Sequence, residues 1–344
     1  MLALRKSKPE LGIELTEVPE LGLPEAKEVR ISVLAAGICG SDLHVYEWTK
    51  SYEWMRSKLP VTLGHEFVGE INAIGAEVQG LKVGQRVVVR PSVTCGECAA
   101  CKANNPDGCR TRDSIGMLRD GGFARQVFVP EKNCLVIPDS LPADIAALTE
   151  PFTIAAQAVN IAELKPNQKV AVFGPGTIGQ AIAVLAKEAG CRVTVIGKND
   201  AFRLQSTREV GIESTLDWDD ADFDARLNSL ISDGAFDVVF EAAGAAPVLA
   251  KAMSILEPNG VLVVAGIYGQ DVPVDLTSLV RKQFQIKGSF RPLESIWPQM
   301  VAFLCQHADR LKPMVSHVLP LERGEEGFRL SIAGKATKIV IKPE

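Results

Sequence analysis

At 344 residues the chain is long enough for two domains, each with its own core. Its composition is that of a soluble globular protein, neither disordered nor fibrous. The net charge of -5, with acids and bases spread along the chain, argues against a nucleic-acid backbone or an anionic membrane as partner.

No uninterrupted apolar run is long enough to span a bilayer, and the opening MLALRKSKPELGIELTEVP lacks the long apolar stretch of a secretion signal. The cytoplasm is the expected compartment. The eight cysteines fit it if they hold metal rather than pair as disulfides.

From Met1 to about Pro138 the chain reads as short strands separated by turn residues. Strands are expected over Val29 to Ala35, Phe67 to Ile74, Gly84 to Val89 and Gly122 to Val129, with no helix of ordinary length before about Ala143. Within this mainly-β half, Cys39 in AGICGSDLH and His65 and Glu66 in LGHE offer a thiolate, a neutral imidazole and a carboxylate to one zinc. Three protein ligands with an open fourth position is the pattern of catalytic rather than structural zinc. Between them runs YEWTKSYEWMRSKL (Tyr46 to Leu59), whose Trp48 and Trp54 either wall a substrate pocket or cover the domain. The loop holding Cys95, Cys98, Cys101 and Cys109 carries the opposite signature. Four thiolates at short spacing make a closed tetrahedral zinc site that fixes a loop and leaves no place for substrate.

Thr149 to Leu164 reads as a helix ended near Pro166. Val170 to Phe173 then forms a short apolar strand, followed at once by Gly174, Gly176 and Gly179 in GxGxxG spacing and by a helical repeat through Ala189. The first glycine allows a tight turn, the second lets backbone approach a pyrophosphate, and the third lets helix and strand pack closely. The helix start presents free N–H groups to the phosphates, so Gly174, Gly176, Thr177, Ile178 and Gly179 are the expected dinucleotide contacts. Further strands at Val193 to Ile196, Phe236 to Glu241, Val261 to Ala265 and Phe284 to Gly288 complete a doubly wound parallel sheet. Ala243, Gly266 and Ile267 follow two of these strands and are expected beside the nicotinamide, since ligands bind at the carboxyl ends of such strands.

AGICGSDLH, LGHEFVGEI, the four-cysteine loop, LTEPF and FGPGTIG occur here in the order of the zinc-containing medium-chain dehydrogenase/reductase family, which the chain resembles from about Glu28 onward. Within that family it is most similar to the sorbitol (polyol) and L-threonine dehydrogenase branches. The resemblance implies an α/β protein: a GroES-like, mainly-β catalytic domain (1–153), a Rossmann domain (154–292) and a return segment (293–344) completing the first. It makes Cys39, His65 and Glu66 catalytic zinc ligands, joined by Glu150 of LTEPF either directly or through water. Ser41 and His44 match the family's proton relay, in which the serine hydroxyl passes the alcohol proton through the cofactor ribose to the histidine. By register with the family's Arg-Leu pair (Arg203, Leu204), Lys198 stands where NAD enzymes carry the acidic residue that binds the adenosine ribose. A cation there favours a 2′-phosphate, with Arg203 one turn on, so the cofactor is NAD or NADP with NADP favoured; Asp200 serves the ribose instead if the turn is longer. Arg291 of GSFRP inherits a place near substrate and cofactor.

The implied reaction is zinc-dependent oxidation of a secondary alcohol, a polyol, sugar alcohol or amino alcohol, to a ketone with hydride transfer to the nicotinamide. An L-threonine 3-dehydrogenase-type enzyme, a non-catalytic nucleotide-binding relative and a zinc-free reductase are the rival readings. The strand at the sheet edge around Phe284 to Gly288, able to pair across a two-fold, points with the resemblance to a homodimer or homotetramer.

Overall fold

The computed structural model describes residues 1–343, which form four sheets; the two largest, of seven and six strands, organise the chain. One sheet has seven strands, five of them in the order Cys134–Val136, Arg86–Val89, Glu66–Ile74, Glu28–Gly37 and Lys338–Lys342, with Val315–Pro320 at the end and Gln126–Pro130 also pairing with Glu28–Gly37. Its pairs are antiparallel except the last, where Val315–Pro320 and Lys338–Lys342 run parallel. The chain therefore returns from residue 315 onward to the sheet laid down by its first 136 residues.

The second sheet has six strands, all parallel, in the order Ser214–Asp217, Arg192–Gly197, Lys169–Phe173, Phe236–Glu241, Leu256–Val264 and Gln285–Gly288. Every residue of Lys169–Phe173 is buried, as expected of a central strand with helices on both faces. Its apolar run is what made it legible as a strand. Helix Thr149–Ala162 carries Phe152, Ala155 and Ala158 into a core cluster that also takes Ala35 and Val68 from the first sheet and Val172 and Phe240 from the second. The apolar stretch 143–162 is long enough to cross a membrane, yet 72% of its most apolar window is buried inside the protein. It is the shared core element of the two halves.

Three expectations need correction. A helix does form before Ala143: Gly40–Glu47, followed by the 3₁₀ segment Lys50–Lys58. The first buries only Asp42, Val45 and Tyr46 and so carries little apolar periodicity; a capping box does the work, with Asp42 accepting from the Cys39 N–H at 2.9 Å. The strand expected over Gly122 to Val129 begins only at Gln126, because Gly122 and Phe123 donate instead to the carbonyls of Gly64 and Leu63 in the LGHE turn. The strand Ser214–Asp217, four residues with a polar start, was not anticipated.

Candidate active site

The turn before the first helix and the start of strand Glu66–Ile74 bring three side chains together. One donor atom each from Cys39, His65 and Glu66 lies within 4.8 Å of the others, and His65 and Glu66 are buried. Thiolate, imidazole and carboxylate are a donor set that zinc takes. Glu66 Oε2 accepts from Lys338 Nζ at 2.5 Å, while Glu66 Oε1 is buried with no hydrogen-bond partner. A carboxylate oxygen withdrawn from water and left unpaired is costly, and a cation in the cluster removes that cost. Asp42 Oδ1 lies 3.4 Å from His65 Nδ1, close enough to act on the charge of the ring. Burial resists protonation of His65, but Asp42 and Cys39 outweigh it and hold the imidazole well above its ordinary value; burial and Glu66 push the Cys39 thiol up.

Glu150, at the start of helix Thr149–Ala162, is buried but outside the three-residue cluster. Burial pushes its carboxyl up to about 7, with Glu66 adding to the rise and His65 and Lys338 opposing it. Its electrostatic partners place it beside the cluster without making it a fourth close donor.

Ser41 and His44 share helix Gly40–Glu47 one turn apart. Ser41 Oγ is 3.2 Å from His65 Nε2. His44 Nδ1 is 3.4 Å from Thr49 Oγ1, and its ring lies parallel to that of Tyr52 with centroids 5.7 Å apart. Burial lowers the His44 pKa below 6.5, while Glu47 and the Ile267 carbonyl work the other way. That carbonyl belongs to the parallel-sheet half, so His44 sits where the two halves meet.

The glycine loop takes the form its spacing predicts. Gly174 has φ +95°, and a Cβ on Gly179 would stand 1.8 Å from the Gly174 carbonyl oxygen. Helix Thr177–Glu188 starts directly after Gly176. The Thr177 hydroxyl donates to Thr337 O at 2.8 Å and Ile178 packs against the core; both stand in the first helical turn, where backbone N–H groups have no intrahelical carbonyl to meet. Arg203 lies beside Gly176, clamped by Asp200 through Nε–Oδ1 at 2.8 Å and Nη2–Oδ2 at 2.5 Å. Asp200 is 5% exposed and also caps helix Ala201–Glu209, so its carboxylate is committed. Lys198 is exposed, its ammonium 5.7 Å from the centre of the Trp218 ring. Ala243 N–H and Gly244 N–H both donate to Glu241 Oε1 at 2.8 Å. A Cβ on Gly266 would meet Gly244 N at 2.4 Å, so the loops carrying Ala243 and Gly266–Ile267 are stacked at the same end of the sheet.

The Arg291 guanidinium lies 4.9 Å from the Phe290 ring centre. Burial first, and then Arg112, lower its pKa, with Cys109 of the four-cysteine loop opposing them. In that loop the ligand atoms of Cys95, Cys98, Cys101 and Cys109 lie within 4.8 Å of one another, and all eight cysteines are free thiols. Backbone N–H groups of Cys98 and Glu97 bring the Cys95 thiol down to about 6, whereas burial and Cys98 push the Cys101 thiol up to about 12.

Sequence reasoning missed Asp42, Lys338 and Tyr52. Asp42 had a signal, since it stands in CGSDLH itself, three residues after Cys39. Lys338 had none, being 272 residues from Glu66. In the aromatic insertion attention fell on the tryptophans, but Trp54 is 50% exposed and Trp48 packs on the domain core with Lys6 and Arg56 over its ring. Trp48 covers the domain. Tyr52 turns inward, 8% exposed, as does Tyr46.

Comparison with known proteins agrees with this arrangement. Residues 25–139 match the alcohol dehydrogenase GroES-like domain and residues 177–306 the zinc-binding dehydrogenase domain. The chain is 32% identical over 344 residues to L-threonine 3-dehydrogenase of Yersinia pestis (strain Pestoides F), covering 99% of each. Its fold is similar to that of 2R,3R-butanediol dehydrogenase from Bacillus subtilis (TM-score 0.85, 29% identity, 100% of this chain and 99% of that one). Galactitol-1-phosphate dehydrogenase from Escherichia coli is similar too (TM-score 0.85, 26% identity, 100% of each). With matching domains at both ends and a relative of that identity along its length, the chain belongs to the zinc-containing medium-chain dehydrogenase family.

Proposed function

We propose that the protein oxidises a secondary alcohol carrying further polar groups, a polyol, sugar alcohol or amino alcohol, to the ketone, with NADP favoured over NAD. The observation that carries this reading is the Cys39, His65 and Glu66 cluster with its buried, unpartnered Glu66 oxygen. In this assignment Cys39, His65 and Glu66 hold the catalytic zinc, with Glu150 joining through water, and the four cysteines of the loop hold a structural zinc. Bound together, zinc supplies a Lewis acid that acidifies the substrate hydroxyl, and the nicotinamide supplies a hydride acceptor. Ser41 orients and receives the hydroxyl proton. His44, kept neutral by burial, is its eventual acceptor at the mouth of the site. Asp42 holds the His65 ring, and Lys338 holds Glu66. The Gly174–Gly179 loop, with Arg203 beside it, cradles the pyrophosphate, and Ala243, Gly266 and Ile267 flank the nicotinamide.

Commitment of Asp200 to its cap and to Arg203 supports Lys198 as the residue facing the adenosine ribose, and with it the NADP preference. The division into a catalytic domain (1–153), a nucleotide-binding domain (154–292) and a return segment (293–344) is supported by the pairing of Lys338–Lys342 with Glu28–Gly37. The edge strand Gln285–Gly288, with Val280 and Phe290 exposed nearby, supports assembly as a homodimer or homotetramer. L-threonine is the second candidate substrate, favoured by full-length similarity to L-threonine 3-dehydrogenase.

The test is nicotinamide absorbance with zinc-loaded protein against pooled secondary alcohols, polyols and β-hydroxy amino acids, each with NAD and with NADP. Reduction in one pool identifies the substrate class. Silence in all pools, with both metal sites filled, overturns the dehydrogenase reading.

A further inference from the structure

The 3₁₀ segment Lys50–Lys58 runs for nine residues, longer than such helices usually last without a reason. It buries only Tyr52 and Met55. Its first turn is tied to the relay helix: Tyr52 N–H donates to Thr49 O at 2.9 Å, and Thr49 Oγ1 lies 3.4 Å from His44 Nδ1 and 3.0 Å from Ser51 Oγ. The Tyr52 ring lies at 12° to the His44 ring, with Trp54 packed against it at 6.0 Å. The phenol tip reaches past His44 to the Ser41 hydroxyl, within electrostatic range of Cys39, His65 and Asp42. Burial, reinforced by Cys39 and Asp42, raises the phenol to about 12 against His65 and Ser41, so the hydroxyl stays a donor at any working pH.

The insertion thus brings one polar group beside Ser41, Cys39 and His65. Ser41 and the Cys39, His65 and Glu66 cluster already serve the reacting hydroxyl. A phenol beside them, an apolar body with a polar tip, already meets the Ser41 hydroxyl; with one O–H to donate and two lone pairs to accept, it keeps capacity for a second group.

Building on the proposed dehydrogenase reaction, we infer that Tyr52 is a specificity-determining residue whose hydroxyl hydrogen-bonds a second hydroxyl or amine on the carbon next to the one oxidised. The site then selects vicinal diols and amino alcohols over simple secondary alcohols. A site built to bond a polar group discriminates strongly against the analogue lacking it.

The rival role for Tyr52 is mere support of the His44 ring, and Tyr52→Phe separates the two because it keeps the ring and removes the hydroxyl. Zinc-loaded protein saturated with reduced cofactor, which cannot oxidise alcohols, is titrated with 2,3-butanediol and with 2-butanol while nicotinamide fluorescence reports binding. The expected result is a wild-type preference for the diol that falls roughly fivefold to tenfold in Tyr52→Phe, the value of one neutral hydrogen bond. Zinc content stays at the wild-type level. A preference unchanged in Tyr52→Phe, with Tyr52→Leu weakening both ligands alike, overturns the assignment and leaves Tyr52 as a stacking support. Failure of the wild type to bind either alcohol overturns the dehydrogenase reading itself.

Discussion

Lys338 and Glu66 form an ion pair at 2.5 Å with side chains 2% and 1% exposed. Lys338 also donates to the Ile38 carbonyl at 2.8 Å, on the residue before Cys39. One ammonium thus braces the backbone at one candidate zinc ligand and the carboxylate of another. Burial opposes its charge, but Glu66, Cys39 and Glu150 outweigh burial and raise its pKa. Removing one partner of a buried pair leaves the other uncompensated, at a cost of about 3–5 kcal/mol. Lys338→Met is expected to destabilise the fold by that order and to weaken zinc retention at the Cys39 cluster. Thermal melts with metal analysis check it, and Glu66→Gln added to Lys338→Met should recover part of the lost stability.

Alcohol oxidation should follow the neutral form of His44. Burial lowers its pKa below 6.5, so the acceptor is unprotonated above that lower value and the rate should rise through an acid limb placed below pH 6.5. His44→Gln should erase the limb and reduce kcat by about 10²-fold, the low end for loss of a general base. A pH–rate profile of both proteins decides. An unchanged limb in the variant assigns the titration to another group.

The two metal clusters should separate by mutation. Intact protein should carry about two zinc ions per chain. Cys39→Ser is expected to lose one of them and the activity while keeping the melting temperature close to wild type. Cys101→Ser is expected to lose the other and to lower the melting temperature, since a structural zinc contributes folding energy directly. Equal thermal effects from both variants would contradict the division of roles.

Cofactor choice should turn on Lys198. Lys198→Asp places a carboxylate at the end of strand Arg192–Gly197, where it accepts from a ribose 2′-hydroxyl and repels a 2′-phosphate. The ratio of kcat/KM for NADP over NAD is expected to fall by at least about 10-fold, one charge–charge contact being worth a kcal/mol or more near a protein surface. Cofactor kinetics with a single substrate measure it.

Where the sequence was readable, the physics was local. Gly174 and Gly179 announce themselves because a turn at φ +95° and a Cβ with 1.8 Å of room leave few other residues possible. Four cysteines in one loop do the same. Cys39, His65 and Glu66 were legible as a set because they stand in two short motifs, AGICGSDLH and LGHE. Helix Gly40–Glu47 was hidden because its stability comes from the Asp42 capping box and not from an apolar stripe. Lys338 was hidden for a different reason: strand pairing between Lys338–Lys342 and Glu28–Gly37 is a tertiary event with no local trace. Tyr52 was masked by its neighbours, since composition does not say which ring of an aromatic segment turns inward.

The return of Lys338–Lys342 to Glu28–Gly37 has a consequence for biosynthesis. The parallel sheet is built from one continuous stretch, Lys169 to Gly288, and can form as soon as that stretch has left the ribosome. The other sheet must wait with the Glu66 carboxylate lacking its ammonium until some 272 further residues are translated. A nascent chain stalled before Lys338 would therefore hold a finished nucleotide fold attached to an unfinished metal pocket. Dinucleotide affinity should appear during translation before tight zinc uptake at Cys39, His65 and Glu66.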